Sequence, residues 1–151
     1  MSKQPQTALH YAIDLLSRRE HSLSELQTKL KAKGYSPENI AECLERLKEK
    51  NLQNNARYAV ARARYRAQIS RWGWAKIRQE LTAKGVSEED ITAAKAGLEE
   101  ADITFEEEAT RQASKLKSKP YEKAFAALLR RGYTPDQAKS ALQTAREEEN
   151  K

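Results

Sequence analysis

The chain has 151 residues, a formal net charge of +6, 38% hydrophobic residues and 33% charged residues. Its N-terminus lacks the apolar core of a secretion signal, and no apolar run approaches the roughly 18 residues that span a bilayer. The single cysteine, Cys43, excludes an internal disulfide framework and a cysteine-based metal site. Because β-branched runs are also few, we expect an all-helical protein of the cytoplasm, without a membrane association.

One short sequence motif occurs three times along the chain, at residues 30–36, 81–87 and 128–134. Its recurring glycines, Gly34, Gly85 and Gly132, are 51 and 47 residues apart. A period of about 50 residues is typical of stacked supersecondary units, each too small to bury its apolar face well alone. The repeat therefore predicts an array of small units that forms an elongated molecule with a concave surface.

Each motif has the features of a helix, a tight turn and a second helix. The glycine follows a helical run and accepts the left-handed backbone conformation that ends a helix. Two residues later the chain has an N-cap residue, and twice a proline follows at the first helical position. These residues are Ser36, Ser87 and Thr134, with Pro37 and Pro135. Thr134 and Gln137 further predict a reciprocal capping box.

The repeat divides the chain into three predicted three-helix units, at residues 7–52, 53–103 and 104–147. Corresponding apolar residues open the second helix of each unit and line its third helix. They are Leu23, Trp74 and Tyr121 in the second helices, and Ile40, Ile91 and Ala138 in the third. Each unit is expected to have a thin core. Residues 1–6 and 147–151 are expected to be disordered or frayed.

The positive charge is concentrated in the first half of the middle unit. Residues 51–79 contain no Asp or Glu, and without their cations the remaining 21 basic and 22 acidic residues nearly balance. The cations are Arg57, Arg62, Arg64, Arg66, Arg71, Lys76 and Arg78. Three of them, Arg57, Arg64 and Arg71, recur every seven residues and would form one stripe on a continuous helix.

Two interpretations of this cationic segment are open. Either the arginines bind phosphates or an acidic partner, or they pair with carboxylates of neighbouring units. The absence of acidic residues and the excess of Arg over Lys favour the first interpretation. Tyr58, Tyr65 and Ile69 are predicted to pack inward. Trp74 is predicted to be a core residue, whereas Trp72 has no apolar counterpart in the other units and is the candidate exposed aromatic.

No catalytic constellation is recognisable in the sequence. His10 and His21 are isolated from potential metal ligands, and Cys43 occupies the position of Ala94 and Ala141 in the other units, which predicts a small core residue. The glycines do not form a phosphate-binding loop. We therefore expect a protein that is not an enzyme and has no cofactor and no metal site.

The middle unit resembles the bacterial regulatory proteins of the RecX family. The family pattern opens with N-D-x-x-Y/F-A, continues through a run of Arg, and ends with G-x-x-x-I-x-x-E-L-x-x-K-G-I/V. Residues 54–59 and 73–86 match both ends of it, with Gly73, Ile77, Glu80 and Leu81 in register. The first and third units are similar to the family as well. Asn55 differs from the family's usual Asp, a change that concerns a local cap or ion pair rather than the fold.

The resemblance implies an all-α fold of three tandem units, each similar to a helix-turn-helix arrangement. It also implies a negative modulator of the RecA recombinase that binds in the groove of the RecA–single-stranded DNA filament. Such a protein blocks filament extension or promotes disassembly, and so lowers ATP hydrolysis, strand exchange and co-protease activity. The expected partners are RecA and single-stranded DNA, with double-stranded DNA as a further candidate, and the expected form is a monomer.

The residues proposed for this contact are the seven cations and one aromatic of the middle unit, with Lys33 or Lys84 as additional contacts. They are Arg57, Arg62, Arg64, Arg66, Arg71, Trp72, Lys76 and Arg78. The alternative is an autonomous DNA-binding repeat protein that places the third helix of a unit in the major groove. Acidic residues at the start of two third helices, Glu88 to Asp90 and Asp136, count against this alternative.

Overall fold

The computed structural model describes residues 6–149, which form nine α-helices and no strand. The helices are α1 (Ala8–Arg18), α2 (Leu23–Lys33), α3 (Pro37–Glu49), α4 (Asn55–Gln68), α5 (Trp74–Ala83), α6 (Glu88–Glu100), α7 (Phe105–Ser114), α8 (Tyr121–Arg130) and α9 (Pro135–Glu149). The all-helical fold is thus confirmed. The first eight helices lie within the predicted ranges, and α9 extends two residues beyond the third. The limits of the units remain a prediction.

The C-terminal end differs from the expectation of a frayed segment. Helix α9 continues to Glu149, so that residues 147–149 are helical. The expectations for residues 1–5 and 150–151 lie outside the described residues. Gln6, expected to be disordered, has its carbonyl oxygen 2.7 Å from the Tyr35 hydroxyl, which donates to it.

The three glycine turns form as the repeat predicts. Gly34, Gly85 and Gly132 have φ values of 100°, 79° and 101°, which lie in the left-handed region. After each glycine, the next residue donates its N–H to the carbonyl five residues earlier, on Leu30, Leu81 or Leu128, at 3.1–3.2 Å. This bond satisfies a carbonyl that the helix end would otherwise leave unpaired.

The predicted N-caps of the third helices are also present. The hydroxyls of Ser36 and Ser87 each accept a backbone N–H at the third residue of the helix. Thr134 and Gln137 form the full capping box, with both reciprocal bonds at 3.0–3.1 Å. A second capping box, between Ser22 and Glu25, opens α2 and lies outside the repeated motif.

Buried side chains form two apolar clusters rather than three separate thin cores. One cluster belongs to α1–α3 and includes Leu26, Leu30 and Leu47. The other is continuous from Tyr58 in α4 to Ala145 in α9, so that the second and third units share one core. In each unit the first and third helices pack against each other. The thin cores expected for the second and third units are thus parts of one shared core.

The junction between the first and second units is polar. The Leu23 N–H, at the start of α2, donates to Asn55 Oδ1 at 2.9 Å, and the Ser24 hydroxyl donates to the Lys84 carbonyl at 2.8 Å. Gln53 Nε2 donates both to Asn55 Oδ1 and to the His21 carbonyl. Asn55 thus caps a helix of the neighbouring unit, and an amide oxygen serves this role without the charge of an Asp.

The junction between the second and third units brings two backbone segments into direct contact. Gly73 N–H donates to the Arg131 carbonyl at 2.7 Å, and Ala75 N–H donates to the Gly132 carbonyl at 3.2 Å. The Tyr133 hydroxyl donates to the Arg71 carbonyl at 2.8 Å. A Cβ at residue 73 would lie 2.3 Å from the Gly132 carbonyl carbon, so the contact requires glycine there.

We expect Gly73→Ala to lower the free energy of unfolding by about 3 kcal/mol or more, because the new methyl group would meet backbone atoms that have no room to move. Gly97→Ala is the matched control. Gly97 lies inside α6, and apart from its chain neighbours and its own helix backbone no atom lies within 4 Å of the place that a methyl group would take. Its replacement should therefore add about 0.5–1 kcal/mol of stability. Urea denaturation of both variants measures the difference. Equal effects would contradict the role of the Gly73 contact.

His21 is a buried residue of the first junction. Its side chain is 2% exposed, its Nδ1 lies 3.0 Å from the Arg19 carbonyl oxygen, and its Nε2 lies 3.1 Å from Lys29 Nζ. Burial lowers the pKa of His21 below its ordinary value of 6.5, and the charges of Arg19 and Lys29 act in the same direction, against the Arg19 carbonyl. The geometry fits a neutral ring that donates from Nδ1 and accepts from Lys29.

A lowered histidine pKa makes stability depend on pH. As the pH falls below 6.5, the unfolded chain binds a proton at His21 before the folded protein does, so the free energy of unfolding should decrease. We expect His21→Gln to reduce this decrease between about pH 7.5 and about pH 5.5. His10→Gln, at an exposed site, should leave it unchanged. Denaturation curves at both pH values for the two variants and the parent chain test this. A parallel decrease in His21→Gln and the parent would refute it.

Candidate polyanion-binding surface

Helix α4 positions most of the predicted cations. The Asn54 side chain caps it by accepting the Arg57 N–H at 3.0 Å. Its buried face is made of Ala59, Ala63 and Ala67, whose small side chains allow close packing against α6, together with Tyr58. The arginines at positions 57, 62, 64 and 66 therefore lie on the faces of α4 that point away from this contact.

Two predictions about this helix are wrong. Helix α4 ends at Gln68, and Arg71 lies beyond it with a φ of 62°, so the seven-residue spacing does not create a continuous stripe. Tyr58 is buried as predicted, but Tyr65 and Ile69 are 47% and 65% exposed. The reason is that alanines spaced four residues apart occupy the inward face and direct the larger side chains outward.

Five of the seven predicted cations form ion pairs with carboxylates from other parts of the fold. The pairs are Arg57–Glu20 at 3.3 Å, Arg62–Glu80 at 2.9 Å, Arg66–Glu80 at 2.7 Å, Arg71–Glu108 at 2.6 Å and Arg78–Glu88 at 2.7 Å. The pairs of Arg57 and Arg71 join neighbouring units, as in the less favoured interpretation of the sequence. The other three pairs lie within the middle unit. Together, the seven predicted cations and these four carboxylate partners carry a net charge of +3. We call these eleven side chains the middle-unit cluster.

Among these carboxylates, Glu80 accepts hydrogen bonds from two arginines. Arg62 Nε donates to its Oε1 at 2.9 Å, while Arg66 donates from Nε to Oε1 and from Nη2 to Oε2 at 3.1 and 2.7 Å. Burial alone would raise the pKa of Glu80, but the hydrogen bonds from Arg66 and Arg62 outweigh it and hold the pKa below its ordinary value. The two arginines consequently fasten α4 to α5.

Trp72 is half-buried against the shared core rather than freely exposed, which corrects the prediction made for it. The Arg66 guanidinium lies 3.9 Å from the centre of its ring system, and Lys76 Nζ lies 4.2 Å from it. Both distances are typical of cation–π contacts. Trp74 packs against the same core with its ring 6.2 Å from that of Phe105, as predicted.

The outer side of α4 remains open to solvent. We call the shallow groove lined by Arg57, Val60, Arg64, Tyr65 and Ile69 the α4 surface. Glu20, the ion-pair partner of Arg57, also lines this groove. Within residues 6–149, Arg64 is exposed and lies more than 4.0 Å from every carboxylate oxygen, so its guanidinium is available to a partner. The α4 surface thus combines an unpaired cation with exposed apolar and aromatic groups.

The additional candidates, Lys33 and Lys84, lie in the glycine turns of the first and second units. Lys33 Nζ is 5.3 Å from the centre of the Tyr11 ring, and the Lys84 carbonyl accepts the Ser24 hydroxyl. Neither lysine is part of the α4 surface.

The part of the chain that the structure describes has few groups suited to other chemistry. It contains no group of three or more His, Cys, Asp and Glu side chains arranged to hold a metal ion. None of its helices has the length and apolar character required to cross a membrane. Cys43 is buried, which raises the pKa of its thiol and confirms its prediction as a core residue.

Comparison with known families gives two matches. The model of the first three-helix domain of RecX matches residues 8–47, and that of the second matches residues 54–94. These two segments together hold more than half of the chain. The first spans α1, α2 and most of α3, and the second spans α4, α5 and the first half of α6. The third group of helices is not covered by these models.

Individual relatives agree with the family match. A regulatory protein RecX of Pseudomonas fluorescens is 43% identical over 95 residues, which are 63% of this chain and 59% of that protein. One from Chromohalobacter salexigens is 44% identical over 89 residues, or 59% of this chain and 58% of the relative. The matched segment thus spans less than two thirds of the length of these relatives.

Solved structures extend the likeness to nearly the whole chain. The crystal structure of RecX from Lactobacillus salivarius has a TM-score of 0.74 at 23% identity and covers 91% of this chain and 94% of its own, which shows a shared fold. A second crystal structure, of a regulatory protein RecX, has a TM-score of 0.75 at 25% identity and covers 87% of this chain and 69% of its own. The two domain matches, the relatives and the fold together show that this chain belongs to the RecX family.

Proposed function

We propose that this protein is a negative modulator of the RecA recombinase that binds in the groove of the RecA–single-stranded DNA filament. By blocking extension or promoting disassembly, it would lower ATP hydrolysis, strand exchange and co-protease activity. Membership of the RecX family is the observation that carries this proposal. The proposed role is one of binding, without catalysis and without a cofactor.

The helical repeat suits such a partner. A filament is itself a repeating structure with an extended groove, and arrays of small helical units offer extended binding surfaces. The groove also contains a polyanion, which attracts a cationic protein. The net positive charge of the middle-unit cluster supports an approach of this part of the chain to the DNA or to acidic groups of RecA.

The seven cations have different roles in this proposal. The arginines that pair with Glu80 and Glu108 hold helices together. Their main role is therefore structural rather than a direct contact with a partner. Arg64 has no such partner in the described chain, and it stands beside the exposed side chains of Tyr65 and Ile69. We therefore assign the main contact in the middle unit to the α4 surface, with Arg64 as its central cation.

Arg64→Glu should weaken inhibition of RecA about tenfold, because it removes an unpaired cation and places a negative charge opposite an acidic partner. The measurement is steady-state ATP hydrolysis by preformed RecA–single-stranded DNA filaments, titrated with protein far below the RecA concentration. Arg18→Glu is the matched control, since Arg18 is exposed at the end of α1 and outside the α4 surface. Thermal unfolding of both variants establishes that they are folded.

The same titration separates the two candidate functions. Inhibition at substoichiometric protein would support regulation of the filament. Inhibition only near saturation of the DNA, and lost at higher salt, would instead indicate competition for DNA by an autonomous DNA-binding protein. An unchanged inhibition curve for Arg64→Glu would contradict the assignment of the α4 surface.

A further inference from the structure

A second cationic segment lies in the third unit, outside every residue assigned so far. Residues 109–121 contain no Asp or Glu and carry Arg111, Lys115, Lys117 and Lys119. The three lysines belong to the loop Lys115–Pro120 between α7 and α8, which we call the α7–α8 loop. The overall charge balance conceals this segment, because residues 80–103, with seven acidic and two basic residues, offset it.

The α7–α8 loop holds its lysines outward in a defined conformation. Leu116 is buried in the shared core and anchors the loop from within. Its N–H donates to the Ala113 carbonyl, and its own carbonyl accepts the Lys119 N–H, both at 3.0 Å. Because Leu116 points inward, the side chains of Lys115, Lys117 and Lys119 are all exposed.

These lysines differ from the middle-unit arginines in having no carboxylate partner. In the region from Gln6 to Glu149, none of the three has its ammonium group within 4.0 Å of a carboxylate oxygen. The acidic residue that follows the loop is Glu122, at the start of α8. Most of the loop's charge is therefore available to an external anion, whereas five middle-unit cations are already engaged.

We propose that the α7–α8 loop binds the phosphate backbone of single-stranded DNA. Lysine ammonium groups are compact charges that bind phosphates without demanding a planar partner, and they are depleted from protein–protein interfaces. The loop also has no exposed apolar side chain between Lys115 and Lys119 with which to dock a protein. Tyr121 follows directly and is 38% exposed. Its ring stacks on Phe125 and has the Arg146 guanidinium 5.3 Å from its centre, so a further cation lies beside the end of the loop.

The test is the double variant Lys117→Gln with Lys119→Gln in the full chain. Binding to fluorescently labelled oligo(dT) is followed by anisotropy over a series of salt concentrations, without RecA. Loss of two phosphate contacts should weaken binding on the order of tenfold at about 0.1 M salt and reduce the slope of log K against log salt by about 1.4. The control is Lys48→Gln with Lys50→Gln, which removes the same charge at the same spacing from exposed sites in the first unit.

Three outcomes would overturn the proposal: an unchanged salt slope, an equal loss in the control variant, or a loss of affinity confined to duplex DNA. A variant that binds oligo(dT) normally but no longer inhibits RecA would show that the loop contacts an acidic protein surface instead. Because the binding assay contains no RecA, its failure leaves the proposed regulation of RecA untouched. Both double variants replace exposed side chains, so folding is expected to be preserved and is checked by circular dichroism.

Discussion

The close approach of Gly73 to the turn at Gly132 is the constraint on which the second half of the molecule depends. Two backbone hydrogen bonds cross this contact, and a side chain at residue 73 would collide with the opposite backbone. The contact brings α5 against the turn between α8 and α9, which lets the apolar faces of six helices merge into one core. Small units that bury little surface alone gain stability by sharing a core in this way.

The same junction also determines which charges are available. Arg71, three residues beyond the end of α4, has a left-handed backbone conformation. Its guanidinium pairs with Glu108 in α7, so this ion pair joins the second and third units. In the middle unit, Glu80 engages two arginines at once and fastens α4 to α5. Arginines that lie close together in the sequence are therefore paired, in the folded protein, with carboxylates of other helices. The exposed cations that remain outside such pairs are the ones that can attract a polyanion.

Local chemistry made much of the fold predictable from the sequence. Glycine turns, hydroxyl caps and the spacing of apolar residues depend on neighbouring residues alone, and the turns at Gly34, Gly85 and Gly132 form as expected. The sequence left ion pairing open but did not identify the carboxylates, because Glu20 and Glu108 each lie 37 residues from their arginine partners. The exposure of Tyr65 and Ile69 was not predicted, because the larger apolar side chains were expected to face the core. The packed face of α4 is instead made mainly of alanines.

The α4 surface and the α7–α8 loop both carry unpaired cations, but they differ in composition and so suit different partners. The α4 surface places one unpaired arginine among exposed apolar and aromatic groups, a composition that suits a protein partner. The α7–α8 loop places unpaired lysines around a buried leucine with no exposed apolar side chain among them, which suits phosphates. The proposed partner, a nucleoprotein filament, presents both kinds of surface. Because the second and third units share one core, one continuous body carries both surfaces. If both bind as proposed, contact at one would restrict how the other approaches the same filament.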